Sequence, residues 1–167
     1  MKSIKHVCLL ATLLFVVSAC APKQKTAQVE GHYTYGHAFN YDYQGNHFDV
    51  SETGTMDFYA DGSALDSACQ VYTVTRPEGD TVTYVFNYVS PSCWSLDADT
   101  FFFAGNKESF RMEPDKEDEL SQEIVKLVSG SIDYQYKFHL DSLTAEKMQW
   151  SFIYRDGHSD TWVFERQ

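Results

Sequence analysis

The sequence predicts an all-β domain, an antiparallel meander of eight to ten strands that curls and closes to hide its edges, with one helix near residues 115–128. Three observations carry that expectation. Beyond residue 30, apolar and aromatic residues alternate with polar ones at a period of two, and the links between runs are short and rich in Gly, Pro, Asn and Asp. A single segment has helical spacing, and no strand–helix–strand rhythm appears. Eleven tyrosines and twelve phenylalanines supply broad faces suited to strands and to ligand-lining walls.

The first residues form an export address. Lys2 and Lys5 precede the mostly apolar run Val7 to Val17, about half of the roughly 20 residues needed to cross a bilayer, and charge, length and small residues match a secretory signal. The last four residues, Val17-Ser18-Ala19-Cys20, resemble the lipobox of bacterial lipoproteins. That resemblance implies removal of residues 1–19, a diacylglycerol on the Cys20 thiol and acylation of the new amine, an N-acyl diglyceride anchor of the palmitate type. Ordinary cleavage near Ala19 or Ala21 without lipid is the alternative. Cysteine arithmetic speaks for the lipid. Cys8 leaves with the signal, and with Cys20 as a thioether the remaining Cys69 and Cys93 can pair as a disulfide in an oxidising compartment. Several hydrocarbon chains give stable anchoring where one holds only marginally. Residues 20–29 then read as the lipidated cysteine and a polar, flexible tether, whose part from Ala21 to Gln28 reaches roughly 25–30 Å when extended. The resemblance also implies a location: no Asp, the inner-membrane retention residue of some lipoproteins, follows Cys20, so the expected destination is the bacterial outer membrane. The acidic export tags of some lipoprotein lineages are missing, so the same resemblance implies the periplasmic face, with cell-surface exposure the other option.

Residues 30–167 form the domain. The mature chain of residues 20–167 keeps 11 basic and 24 acidic residues, a formal charge of −13, enough length for one substantial core and a balance that disfavours nucleic acid.

Along that domain, Tyr33, Tyr35, His37, Phe39, Tyr41 and Tyr43 share one parity of the first strand, residues 31–43. Gln44-Gly45-Asn46 turns the chain into a short strand near His47 to Ser51. Gly54 to Tyr59 is a further strand, and Asp61-Gly62 marks a hairpin to Leu65–Thr75. Residues 76–80 turn the chain into Thr81–Val89. Ser90-Pro91-Ser92 turns it again before a strand from Trp94 to Ala104 and a short one from Glu108 to Met112. Leu120, Ile124 and Leu127 then stand at helical spacing, with Asp115 placed to cap the first turn and Gly130 to stop the last. The accompanying acids suit a solvated helix face better than a calcium loop, which needs a glycine-centred set of oxygen ligands. Ser131–Leu140, Met148–Tyr154 and Ser159–Arg166 complete the strands, the last two joined by a tight Asp156-Gly157 turn.

Over residues 30–167 this arrangement resembles the small lipocalin-like lipoproteins of gut and environmental Bacteroidota. The resemblance rests on Gly31-His32-Tyr33, the phrase Thr55 to Gly62, the phrase Leu143 to Met148 and the closing Glu165-Arg166. It implies an up-and-down barrel. True lipocalins have tryptophan where Tyr33 stands, so that packing role does not carry over, and the helix falls between middle strands. A two-sheet sandwich is the structural alternative.

No enzyme template fits. GxSxG, Walker, HExxH and dinucleotide motifs are missing, and Ser159 between His158 and Asp160 is no triad because neighbours on a strand diverge. Paired carboxylates for glycoside hydrolysis are available among the acids, but no spacing selects a pair. Zinc could use histidines with Asp42 or Asp49, yet His32 and His37 have opposite parity; His37 and His47 could face each other across the first hairpin. His139 and His158 receive no role. The expectation is a non-enzyme without cofactor or metal. What remains is an aromatic interior, with Tyr33, Tyr35, Phe39, Tyr41, Tyr84, Phe86, Tyr134, Tyr136 and Phe138 as candidate ligand-lining residues. Two functions follow: a tethered module that binds a small apolar or amphipathic ligand, or a filled barrel whose outer face meets envelope proteins or glycans. A cavity of several hundred cubic ångströms discriminates them.

Overall fold

The structure, a computed structural model, describes residues 28–154 and 157–167. The lipobox, Cys20 and most of the tether lie outside the described residues, as does Asp156 of the last turn. Among the described residues from 30 onward, nine strands alternate with turns and one helix: β1 (Gly31–Tyr43), β2 (Asn46–Phe58), β3 (Ser63–Thr75), β4 (Thr81–Asp97), β5 (Thr100–Gly105), β6 (Arg111–Pro114), α1 (Glu119–Ser131), β7 (Tyr136–Leu143), β8 (Lys147–Ile153) and β9 (Ser159–Arg166).

Eight of them close an antiparallel barrel. Hydrogen-bonded neighbours run β3-β2-β1-β9-β8-β7-β5-β4, and β4 pairs back onto β3. Closure removes the free edges that such aromatic strands would otherwise expose. The sandwich alternative is thereby excluded. The edge of β4 away from β3 is shared, with residues 86–89 pairing β6 and residues 92–97 pairing β5.

Period-two patterning gives each long strand an inward row. In β3 the even residues from Ala64 to Val74 are buried and their neighbours half-exposed. The β1–β2 connection is a two-residue turn in which Gln44 and Gly45 both have positive φ, the conformation that matches the twist of flanking strands. Opposite this hairpin, one end of the barrel is filled by Tyr33, Phe58, Trp94, Phe101, Met148, Trp150 and Phe164, all nearly fully buried. Phe58 makes edge-on contacts there with the rings of Tyr33, Trp94, Phe101, Trp150 and Phe164. The Arg166 guanidinium lies over the Tyr33 ring and donates to the Gln28 carbonyl, tying the end of β9 to the point where the chain enters.

Several expectations are corrected. β2 is one continuous strand, not two pieces. Gly54 remains within it because a Cβ there would stand 2.7 Å from both the Ala68 Cβ and the Ser67 carbonyl oxygen. Ser90-Pro91-Ser92 is not a turn; β4 runs through it to Asp97, and Trp94 belongs to β4. Pro91 is tolerated because it falls where the shared edge passes from β6 to β5, so the missing N–H interrupts no rung on that side. The helix begins later than residue 115 and passes Gly130. Its N-cap is Asp118, while Asp115 extends the β4–β6 pairing, its N–H donating to the Val85 carbonyl (2.8 Å) and its carboxylate accepting from the Val85 N–H (2.9 Å).

The proposed Cys69–Cys93 disulfide is contradicted: both thiols are free. In the β3–β4 ladder Cys69 faces Asn87 and Cys93 faces Ser63. The two sites are six rungs apart, about 20 Å along the strands, far beyond the roughly 7 Å that a bridge tolerates. The pairing therefore lends no support to lipid on Cys20, which rests on the lipobox pattern alone.

Candidate functional site

Above the aromatic plug the barrel is hollow. A cavity of about 670 Å³ is walled chiefly by rings, among them Phe39, Phe138, Trp150, Phe152, Trp162 and Phe164. Of the residues expected to line it, Tyr35, Phe39, Tyr136 and Phe138 do so. Tyr33 is locked in the plug, with its hydroxyl donating to the Val29 carbonyl at 2.9 Å. Tyr41 stacks on Phe48 at 4.8 Å between centroids, and Phe86 packs edge-on against Tyr72. Tyr84 points to the helix start, its hydroxyl donating to Asp118 at 2.7 Å. Tyr134 is a correction: α1 extends to Ser131, a turn follows, and the side chain is 67 % exposed.

The helix forms part of the wall. Val128 and Ile132 border the cavity, and the Gly105 N–H donates to the Ile132 carbonyl at 3.0 Å. A Cβ on Gly105 would lie 2.7 Å from Ile132 Cγ2, so only glycine allows this approach. The Gln44 amide donates to Glu123 at 2.9 Å and pins α1 to the β1–β2 hairpin. Ile153 and Tyr154, both exposed, mark the opening beside the β8–β9 link.

On the β1–β4 side of the cavity sits a polar group that aromatic patterning gave no reason to expect. Tyr35 lies across Gly54, where the lack of a side chain makes room for its ring. Its hydroxyl is 2.6 Å from Glu52 Oε1, 2.7 Å from Asp66 Oδ1 and 3.0 Å from the Tyr88 hydroxyl. The Tyr88 hydroxyl is 2.7 Å from Glu52 Oε1 and 2.8 Å from Asp66 Oδ2. Gln70 donates to Glu52 Oε2 at 2.7 Å and accepts from Tyr72 at 3.1 Å. Glu52 and Asp66 are both buried, 9 % and 8 % exposed.

Five short oxygen–oxygen contacts link the two hydroxyls and two carboxyls, yet each tyrosine brings one proton. With both carboxyls ionised, three contacts would set lone pair against lone pair. A further proton on a carboxyl turns one of them into a hydrogen bond. Electrostatics agrees: burial first, and the Glu52 charge second, push Asp66 up to about 7. Burial and the two acids likewise hold the Tyr35 and Tyr88 hydroxyls far above the ordinary tyrosine value, so both stay protonated donors.

Among the described residues no lysine or arginine lines the cavity. The one basic ring, His37, stacks on Trp162 at 4.2 Å, and burial lowers its pKa, which keeps it neutral around pH 7. His37 pairs across with Glu52 and His47 with Asp42, so the expected facing of the two histidines is overturned by the register. His47 binds Asp42 at 2.7 Å, which raises its pKa, and His32 binds Asp57 at 2.6 Å; both are surface pairs. Among the described residues no group of three or more His, Cys, Asp or Glu could hold a metal ion. The Trp150 ring borders the cavity, while its indole N–H is buried without a partner, at a cost of about 1–3 kcal/mol.

Comparison with protein-family models and with curated proteins finds no match. The function therefore rests on the geometry of this chain.

Proposed function

We propose that this chain is a lipid-anchored envelope protein whose barrel binds a small, apolar or amphipathic molecule. The observation that carries the reading is the cavity of about 670 Å³ with aromatic walls and an opening flanked by the exposed Ile153 and Tyr154. Ligand pockets typically have this size, a mostly apolar lining and a few convergent polar groups that set orientation. A filled barrel acting only through its outer face would have no use for such a hollow. The anchor is the part of the reading drawn from Val17-Ser18-Ala19-Cys20, with the outer membrane as destination and the periplasmic face as the side displayed.

Native mass spectrometry of the full-length gene product, extracted gently from membranes, tests both halves at once. The expected spectrum carries a diacylglycerol and an N-acyl increment on a chain beginning at Cys20, together with a co-purifying guest released on activation. A chain that never carries a guest, and takes up none of a panel of apolar probes, would sink the binding role. An unmodified Cys20 would remove the anchor and leave the binding role standing.

A further inference from the structure

We infer that the guest is an organic cation: an ammonium head held against Glu52 and Asp66, with an apolar body lying among the rings of the barrel. The inference rests on the proposed binding role of the interior and narrows it to a chemical class.

Two observations converge. Among the described residues the cavity wall contains two carboxyl groups and no lysine or arginine, and its histidine is kept neutral by burial. An anionic head at this wall would meet Glu52 and Asp66 with nothing to offset the repulsion. A neutral head would leave their charge as it is. A cation supplies the missing countercharge, and in a low-dielectric surrounding that attraction is much stronger than in water. Second, the rings of Tyr35, Tyr88, Phe110 and Trp162 also border the cavity, and ring faces attract ammonium groups. The apolar share of the lining and the volume favour an organic cation over a bare metal ion, which needs more oxygen ligands than two carboxyls and a cavity no larger than its shell.

Entry of the cation is coupled to departure of a proton. The groups that face Asp66 are Tyr35 from β1, Glu52 from β2 and Tyr88 from β4, with His37, Gln70 and Ser90 also on the wall. None of these described groups is a cation near neutral pH, so the positive charge exchanged is the proton shared by the carboxyls. The exchange balances: one ammonium enters and one proton leaves to solvent.

The test compares four ligands with one chain length, dodecylammonium, dodecyltrimethylammonium, dodecanol and dodecanoate, titrated into the full chain. The expected result is that the two cations bind about ten- to a hundredfold more tightly than dodecanol, with dodecanoate weakest. Dodecyltrimethylammonium keeps its charge at every pH, so its affinity is expected to rise from pH 5 to pH 8 as the protein gives up its proton. The double variant Glu52→Gln, Asp66→Asn is expected to erase both the preference and the pH dependence. Should that variant fail to fold, the ligand ranking and the pH series of the parent decide alone. If dodecanol binds as tightly as the cations, or dodecanoate binds best, the cation inference is overturned while the binding role stands. If none of the four binds, both fall.

Discussion

Asp66 holds a proton in the folded barrel that it would release in the unfolded chain. Its ordinary pKa is about 3.9, and burial beside Glu52 pushes it up to about 7. Between those values the folded state binds more protons than the unfolded one, so the stability this group contributes is full below about pH 4 and is lost as pH rises toward 7. Asp66→Asn removes the charge while keeping the shape. The variant is expected to gain on the parent by on the order of a few kcal/mol between pH 4.5 and pH 8, read from urea denaturation at several pH values. A difference that stays constant across that range would falsify the shared proton. The sequence carried half of the signal for this site. Glu52 shares its parity with Phe48, Val50, Met56 and Phe58, an acid in an otherwise inward row. Splitting β2 at Gly54 hid that row, and parity alone cannot say that Asp66 and Tyr88 arrive at the same place. Only the β2–β3–β4 register does that.

At the scale of the element, α1 illustrates how a single cap can serve two purposes. The Asp118 carboxylate accepts from the Ser121 N–H at 2.8 Å while the Ser121 hydroxyl accepts from the Asp118 N–H at 2.9 Å, a reciprocal box with serine in place of the usual glutamate. The other Asp118 oxygen takes the Tyr84 hydroxyl of β4, so the cap also docks the helix. Asp118→Ala is expected to cost about 1–2 kcal/mol in chemical denaturation and to increase amide exchange in the first turn. An unchanged exchange pattern would mean that packing of Ile124 and Val128, not the cap, holds the helix start. The helical spacing of Leu120 and Ile124 was visible in the sequence, but the start was not. Asp115 and Asp118 are equally good caps by composition, and the choice is made by Val85, whose backbone engages Asp115 in the sheet. The overrun past Gly130 has a similar origin, since Ile132 reaches Gly105 only if the helix continues to residue 131.

For the whole molecule, cohesion comes from the closed ladder and the ring cluster, without a covalent cross-link between Cys69 and Cys93. Alkylation of the denatured, unreduced protein is expected to label both residues. Reductant is expected to leave the urea midpoint unmoved, and a midpoint that falls on reduction would point to a bridge. Strand parity and turn residues made the all-β architecture legible, because alternation is a local property of each run. Closure was expected from the need to hide strand edges, but the closing strand pair and the empty interior were not legible in that way. They depend on which strand edges meet and on how far Tyr35, Trp150 and Trp162 reach across the space, and the same alternation serves a packed core equally well.

The chain enters the barrel beside Tyr33 and Arg166, whereas Ile153 and Tyr154 border the opening seven residues of β8 away, at the opposite pole. A protein moored by its leading residue would thus keep its doorway on the pole remote from the mooring. Cargo would arrive through water or by hand-off from another carrier, and the anchor would govern how close the protein stays to the lipid rather than the route by which it is loaded.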